Sequence, residues 1–286
     1  MATPRVIARG GRDLLGEGLW WSAREDCVYW TDIVGRKLHR LRLADEHVTQ
    51  WEMPEMIGWI IEREDKPGFV AGLQSGFAWL TLDPFKLTPF LDPEPHLPGN
   101  RLNDAVADAR GRIWAGTMSV AADRPTGALY RLECDGTISR IDRHIIIANG
   151  PAICERQSAL FHTDTGRATI YRYPLGGDGN TGAREPFIVF DPAHGRPDGM
   201  TFDAEGCLWV AVYGGGRVSR FTPAGKLDRS IALPASQITN CVFAGAGLGR
   251  MFVTSAAAGA EHEPLAGALF EVDPGVSGIA PYRYRG

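Results

Sequence analysis

Two carboxylates and three amides recur at one register position of this chain, and together they form a set of donors able to do chemistry. Glu17, Asn103, Asn149, Asp198 and Asn240 each stand where a short strand-like stretch begins; the sixth such position is Gly58 or Trp59. Singly, each has a plain structural use. Asn149-Gly150 is a favoured turn pair, Pro197-Asp198-Gly199 reads as a turn, and Glu17 between glycines reads as a loop acid. Brought to one place, they make an all-oxygen donor set. Converging carboxylates repel in a low-dielectric cavity unless a cation sits among them. Oxygen donors suit a hard divalent cation: calcium, magnesium or manganese, with zinc also admissible. Glu17, Asp198 and one of the asparagines would match its double charge. The histidines show neither HxxH nor HxxxH spacing, which argues against a histidine-built zinc site. Arg101 lies two residues before Asn103. Its guanidinium suits substrate hydroxyls or a carboxylate, a surface ion pair being the plain alternative.

The elements that must position these residues follow from a repeat. Strand-like stretches centred on Trp30, Val70, Trp114, Phe161, Trp209 and Phe252 recur at steps of 40 to 48 residues. A period in the forties, with several short strands per unit, predicts an all-β fold: a six-bladed β-propeller with four antiparallel strands per blade. Residues 1–286 are expected to form this as one domain. In such a fold one register position of every blade converges on a central channel, which is what gathers the five oxygen-bearing side chains. Within a repeat, a short inner strand such as Ala105–Ala107 or Met200–Phe202 precedes a tight turn, Asp108–Gly111 or Asp203–Gly206. Asp caps local N–H groups and Gly tolerates positive φ, the chemistry of a hairpin turn. Apolar second strands (Arg112–Gly116, Cys207–Ala211, Arg250–Thr254) and alternating third strands (Ala128–Arg131, Thr169–Arg172, Arg217–Arg220) come next. The last repeat is short of an outer strand, which Arg5–Ala8 or Tyr282–Arg285 would supply, removing an exposed edge. Insertions at roughly 119–126 and 256–266 fall in the third and sixth repeats, opposite each other in the ring. They are expected to rim the channel mouth and help select the substrate.

Bulk composition narrows the function classes. Charged residues make up 22% and hydrophobic residues 44%, the balance of a globular chain with a sizeable core. Net charge is −4 with no block of like sign, which argues against a nucleic-acid or anionic-membrane partner. Five cysteines form no CxxC pair and fall partly in apolar runs, so buried free thiols are expected. No signal-like or membrane-spanning apolar stretch is evident, which makes the cytoplasm the expected location. A monomer or weak oligomer is expected.

The same residues resemble the senescence-marker protein/gluconolactonase/luciferin-regenerating-enzyme family, which includes regucalcin and bacterial sugar lactonases. The similarity runs over nearly the whole chain. It rests on Leu15-Gly-Glu-Gly18 with Trp21, and on Arg101-x-Asn-Asp104 continuing through Asp108 to Gly111-Arg-x-Trp-x-Gly-Thr-Met118. It also rests on Asn149-Gly150 with Thr163-Asp164, on Pro197-Asp-Gly-Met200, and on Leu208-Trp-Val-Ala211 leading to Gly214-Gly-Gly216. The resemblance implies a six-bladed propeller, metal ligands at Glu17, Asn149 and Asp198, and substrate contacts at Arg101 and Asn103. It places calcium first among the cations, ahead of manganese, magnesium and zinc. The chain departs from the family at Leu19, where a proline is usual, and at Cys154–Gln157, which replaces a Ser-Pro-Asp-Gly turn. Some members carry a sugar-contacting glutamate after Gly-Thr-Met; here the stretch is Ser119–Asp123, so the resemblance leaves the sugar open.

The activity implied is metal-dependent hydrolysis of a sugar lactone, an aldonolactone going to its aldonic acid. The cation would polarise the lactone carbonyl, with Asp198 as the candidate general base. A carboxylate on a cation is a weaker base, so a hydroxide generated by the cation, with Asp198 orienting it, is the competing arrangement. A calcium-binding regulatory or ligand-sensing propeller without turnover is the rival of a different class. It would keep Glu17, Asn149 and Asp198 without needing Arg101. Phosphotriester hydrolysis at the same cation is a third reading.

Overall fold

β-Branched and aromatic residues at period two, punctuated by Gly, Pro and Asp, give the chain little choice but short strands. The computed structural model describes residues 3–286, and their strands form six four-stranded antiparallel sheets. The innermost strands are Gly16–Ser22, Ile57–Glu62, Asn100–Ala107, Ala148–Cys154, Arg196–Phe202 and Ile238–Ala244. They define blades 1 to 6. Each packs on the next and the sixth packs on the first, so the ring closes as a six-bladed β-propeller. The only helical pieces among the described residues are three 3-10 turns, and no helix is long and apolar enough to cross a membrane.

The core lies between successive sheets. Trp209, Ala211 and Val218 of blade 5 meet Ile238, Phe243 and Met251 of blade 6. Phe161 of blade 4 packs edge-on against Phe202 of blade 5, with ring centroids 5.3 Å apart. The Asp…Gly turns form as the sequence expects. Gly111 donates to the Asp108 carbonyl at 2.8 Å and Gly206 to the Asp203 carbonyl at 3.0 Å, each glycine at positive φ. The two aspartates also accept from the indole N–H groups of Trp114 (3.0 Å) and Trp209 (2.9 Å), fixing the second strand of each blade to its own turn.

Both chain ends are used, for different tasks. Arg5–Val6 supplies the outer strand of blade 6, pairing with Phe270 and Glu271. The other candidate, Tyr282–Arg285, instead crosses the face where the inner strands end. There Ala204 donates to Ser277, Gly278 to Leu248, Tyr284 to Glu62 and Arg285 to Gly111, all through the backbone. Residues 279–282 lie against Ala107, Phe202 and Val242 around a cavity of only about 100 Å³. The tail therefore lies across the lower mouth of the channel.

A candidate metal and substrate site at the channel

Every inner strand breaks register at the same height. Glu17 pairs with Thr31 and Trp20 with Tyr29, so Gly18 and Leu19 face Trp30 alone. In the same way Asn103-Asp104 oppose Gly116, Gly150-Pro151 oppose His162, Asp198-Gly199 oppose Ala211, and Thr239-Asn240 oppose Thr254. Blade 2 has only Gly58 as its extra residue. A bulge bends its strand and re-aims the side chains beside it. Five of the six bends carry polar side chains on or next to them, all buried: Glu17, Asn103, Asp104, Asn149, Asp198 and Asn240.

Glycines let the strands approach closely enough to share these groups. Gly18 has φ +56°, and a Cβ there would lie 2.2 Å from the Gly58 carbonyl oxygen of the next blade. A Cβ on Gly199 would lie 2.6 Å from the Asn240 side chain.

Hydrogen bonds then run around the ring. Asn240 Nδ2 donates to Glu17 Oε2 at 3.0 Å, joining blades 6 and 1. Arg101 donates to Asn103 Oδ1, and Asn103 Nδ2 donates to Asn149 Oδ1 at 2.6 Å and to the Ala148 carbonyl at 2.7 Å. Asn149 Nδ2 donates to Thr165 Oγ1 at 2.9 Å, and Thr165 in turn donates to the Pro197 carbonyl at 2.7 Å. Asp104 accepts from the Gly150 N–H (2.8 Å) and from the Ala105 N–H (2.8 Å), so its carboxylate pins the bend that presents Asn149. Asp198 is the exception. Its Oδ1 is buried and has no hydrogen-bond partner among the described residues.

The electrostatics match this crowding. Burial, reinforced by the charges of Glu17 and Asp104, pushes Asp198 well above the usual carboxylate range. Glu17 is raised by burial and by the Asp104 charge, and Asp104 by burial. Burial lowers Arg101 to about 10, against the opposing pull of Glu17 and Asp198. A cation among these groups would reverse the penalty on the carboxylates.

Asp198 Oδ1, Glu17 and the amide oxygen of Asn149 are hard oxygen donors, and an orphaned buried carboxylate oxygen fits a cation better than it fits an empty channel. Among the described residues no three His, Cys, Asp or Glu side chains meet in ligand geometry, so a cation here would draw on other donors such as the amide oxygens as well. The five residues expected from the sequence thus occupy one well. Asp104 joins them as a third carboxylate that register counting passed over. Asn103 spends both amide hydrogens on blade 4, which leaves only its oxygen, already shared with Arg101, to face a ligand.

The insertions at 119–126 and 256–266 lie on the face where the inner strands start. Val120 donates to the Gly99 carbonyl just ahead of Asn100, and Ala257 to the Asp13 and Leu14 carbonyls just ahead of Gly16. The Glu263 carboxylate accepts from Ser236 N at 2.8 Å, ahead of the blade 6 inner strand.

Fold and well together define a six-bladed propeller with an oxygen-lined pit on its axis. The chain belongs to the SMP-30/gluconolactonase/LRE-like family, whose model matches residues 15–257. It is 34% identical over 279 residues to a 6-deoxy-6-sulfogluconolactonase of Pseudomonas putida, covering 96% of each chain. It is 32% identical to an L-arabinolactonase of Azospirillum brasilense, covering 96% of this chain and 93% of that one. A solved structure of a calcium-binding protein, regucalcin, from Agrobacterium tumefaciens superposes with a TM-score of 0.92 at 29% identity, covering 99% and 98% of the two chains.

Proposed function

We propose that this chain hydrolyses a sugar lactone to its aldonic acid, with a divalent cation held by Glu17, Asn149 and Asp198. The bare, buried Oδ1 of Asp198, in the same well as Glu17 and Arg101, is the observation that carries the reading. Lactonases among the relatives, matched over nearly their full length, support the substrate class. Calcium stands first among the cations, since the donors are all oxygen and one neighbour in structure is described as calcium-binding; manganese, magnesium and zinc remain alternatives. When bound, the cation supplies positive charge that polarises the lactone carbonyl. Asp198 takes a proton from the attacking water. Arg101 is buried and, among the described residues, makes hydrogen bonds only through Nη1, so its remaining N–H groups can orient ring hydroxyls and, after ring opening, the new carboxylate. Asn103 holds Arg101 and Asn149 in register with each other.

The test is acid release from a panel of glucono-, xylono-, arabino- and galactonolactones. Protein stripped with EDTA is refilled with calcium, manganese, magnesium or zinc, and wild type is run beside Asp198→Ala. Metal-restored hydrolysis, reduced by about 10²–10⁴-fold in the variant, is expected. A bound cation with no turnover of any lactone overturns the proposal in favour of a calcium-binding regulatory propeller, which the regucalcin likeness favours. Arg101→Ala separates the two further: it cripples turnover in a lactonase but leaves cation affinity intact.

A further inference from the structure

The well does not end at the ring of bends. Arg101 also lines a second cavity of about 270 Å³ between blades 2 and 3, on the face where the inner strands start. The connection leading to Asn100 forms one wall and the turn at 73–76 another. Glu94 anchors that connection from beneath. Its carboxylate is buried and accepts from Asn100 Nδ2 (2.8 Å), Thr117 Oγ1 (3.0 Å) and Tyr130 Oη (3.0 Å). Glu55 steadies the opposite turn by accepting from Ser75 N and Oγ, both at 2.7 Å. Asp92 accepts from Glu94 N at 2.8 Å and keeps its other oxygen open.

The charge of this cavity is one-sided. Among the described residues Glu55, Asp92 and Glu94 line it against a single cation, the buried Arg101. Gln74 and Ser75 add neutral donors and acceptors. At about 30 Å³ per water-sized group, it has room for a two- or three-carbon polyol with several waters. Arg101 faces both the well and this cavity, so a lactone held at that guanidinium with its carbonyl in the well can direct its exocyclic tail into the cavity.

From this juxtaposition we infer that the cavity between blades 2 and 3 is the subsite for the exocyclic tail of the lactone, and that it takes a neutral hydroxylated tail and rejects an anionic one. The inference rests on the lactonase reading and narrows it. Carboxylate oxygens accept from tail hydroxyls, whereas a phosphate or sulfonate on the terminal carbon meets them as like charge. By that criterion this chain parts from the sulfogluconolactonase it resembles.

The experiment compares kcat/KM for gluconolactone and for a gluconolactone bearing phosphate or sulfonate at C6, with cation-saturated full-length protein at low and high salt. Wild type is expected to favour the neutral lactone at least tenfold, with the gap narrowing as salt rises. In a Glu55→Gln/Asp92→Asn double variant, KM for the neutral lactone should rise several-fold with kcat retained. Hydrolysis of the anionic lactone should improve in the same variant, shrinking the preference about tenfold. General damage to the fold would lower both together and leave the ratio alone. Equal or better turnover of the anionic lactone by wild type overturns the subsite, as does a double variant with an unchanged ratio. Absence of hydrolysis for both lactones overturns the lactonase reading itself, and the subsite with it.

Discussion

Asp198 and Asp104 sit in the same well and do opposite things with their oxygens. Asp198 leaves one bare, at a cost of about 1–3 kcal/mol for a buried unpaired acceptor. Asp104 spends both on backbone N–H groups. Asp104 is thus a positioning residue for Asn149. Its replacement by Ala should weaken cation affinity about 10–100-fold by calorimetry, and Asp104→Asn, which keeps one acceptor oxygen, should recover part of it. Equal losses in both variants would point to charge instead of position. His162, across from the bend at Gly150-Pro151, is held neutral by burial, its pKa lowered to about 4. Between the unfolded value of about 6.5 and about 4, the unfolded chain takes up a proton that the folded chain refuses. Stability should therefore fall as pH drops through that window, by up to about 1.4 kcal/mol per unit, and His162→Gln should lack this component. Urea unfolding of both proteins at pH 7 and pH 5 checks it; an identical drop in the two would refute it. Glu17, Asn103, Asn149, Asp198 and Asn240 were legible because they share a register position, and Arg101 because it lies two residues before one of them. Asp104 was not, because strict alternation turns the residue after Asn103 away from the axis, and only the bulge brings it back.

At the scale of elements, the turns were plain in the sequence and the bends were not. An Asp followed three residues on by Gly carries its own geometry, and Asp108–Gly111 and Asp203–Gly206 close as written. The inner strands are longer than their apolar stretches suggest: Asn100–Ala107, for example, against an expected Ala105–Ala107. Polar residues fill their first halves, where the usual alternation of a half-buried strand gives way to the demands of the channel. What fixes a bend is the neighbouring blade, as Gly18 against the Gly58 carbonyl shows. That contact is tertiary and leaves no local mark beyond the glycine. Gly18→Ala should lower the unfolding free energy by about 1–3 kcal/mol and, by displacing Glu17, weaken the cation as well. A thermal melt with and without calcium reads both effects. An unchanged melting point in the absence of calcium would show that the ring relaxes around the methyl group.

For the whole molecule, the period of the repeats was enough to give six blades, while the closure of the ring stayed open between two chain ends of similar strand-like pattern. The structure uses one end as an outer strand and the other as a floor. Tyr284 anchors that floor: its backbone bonds to Glu62 and Glu64, and its hydroxyl donates to the Glu133 carbonyl at 2.9 Å. Tyr284→Ala should cost about 3–5 kcal/mol, measured by denaturant titration, if the tail is integral to the fold; a loss under 1 kcal/mol would make it an appendage. The floor also sets the traffic. With the tail across the lower mouth, an incoming lactone and a departing acid share the face where the inner strands start. Each turnover must empty the pit by the path along which it was filled, and a lingering product blocks the next arrival. The pace at which the acid leaves by that path can then govern the catalytic rate even when the bond-breaking step is fast.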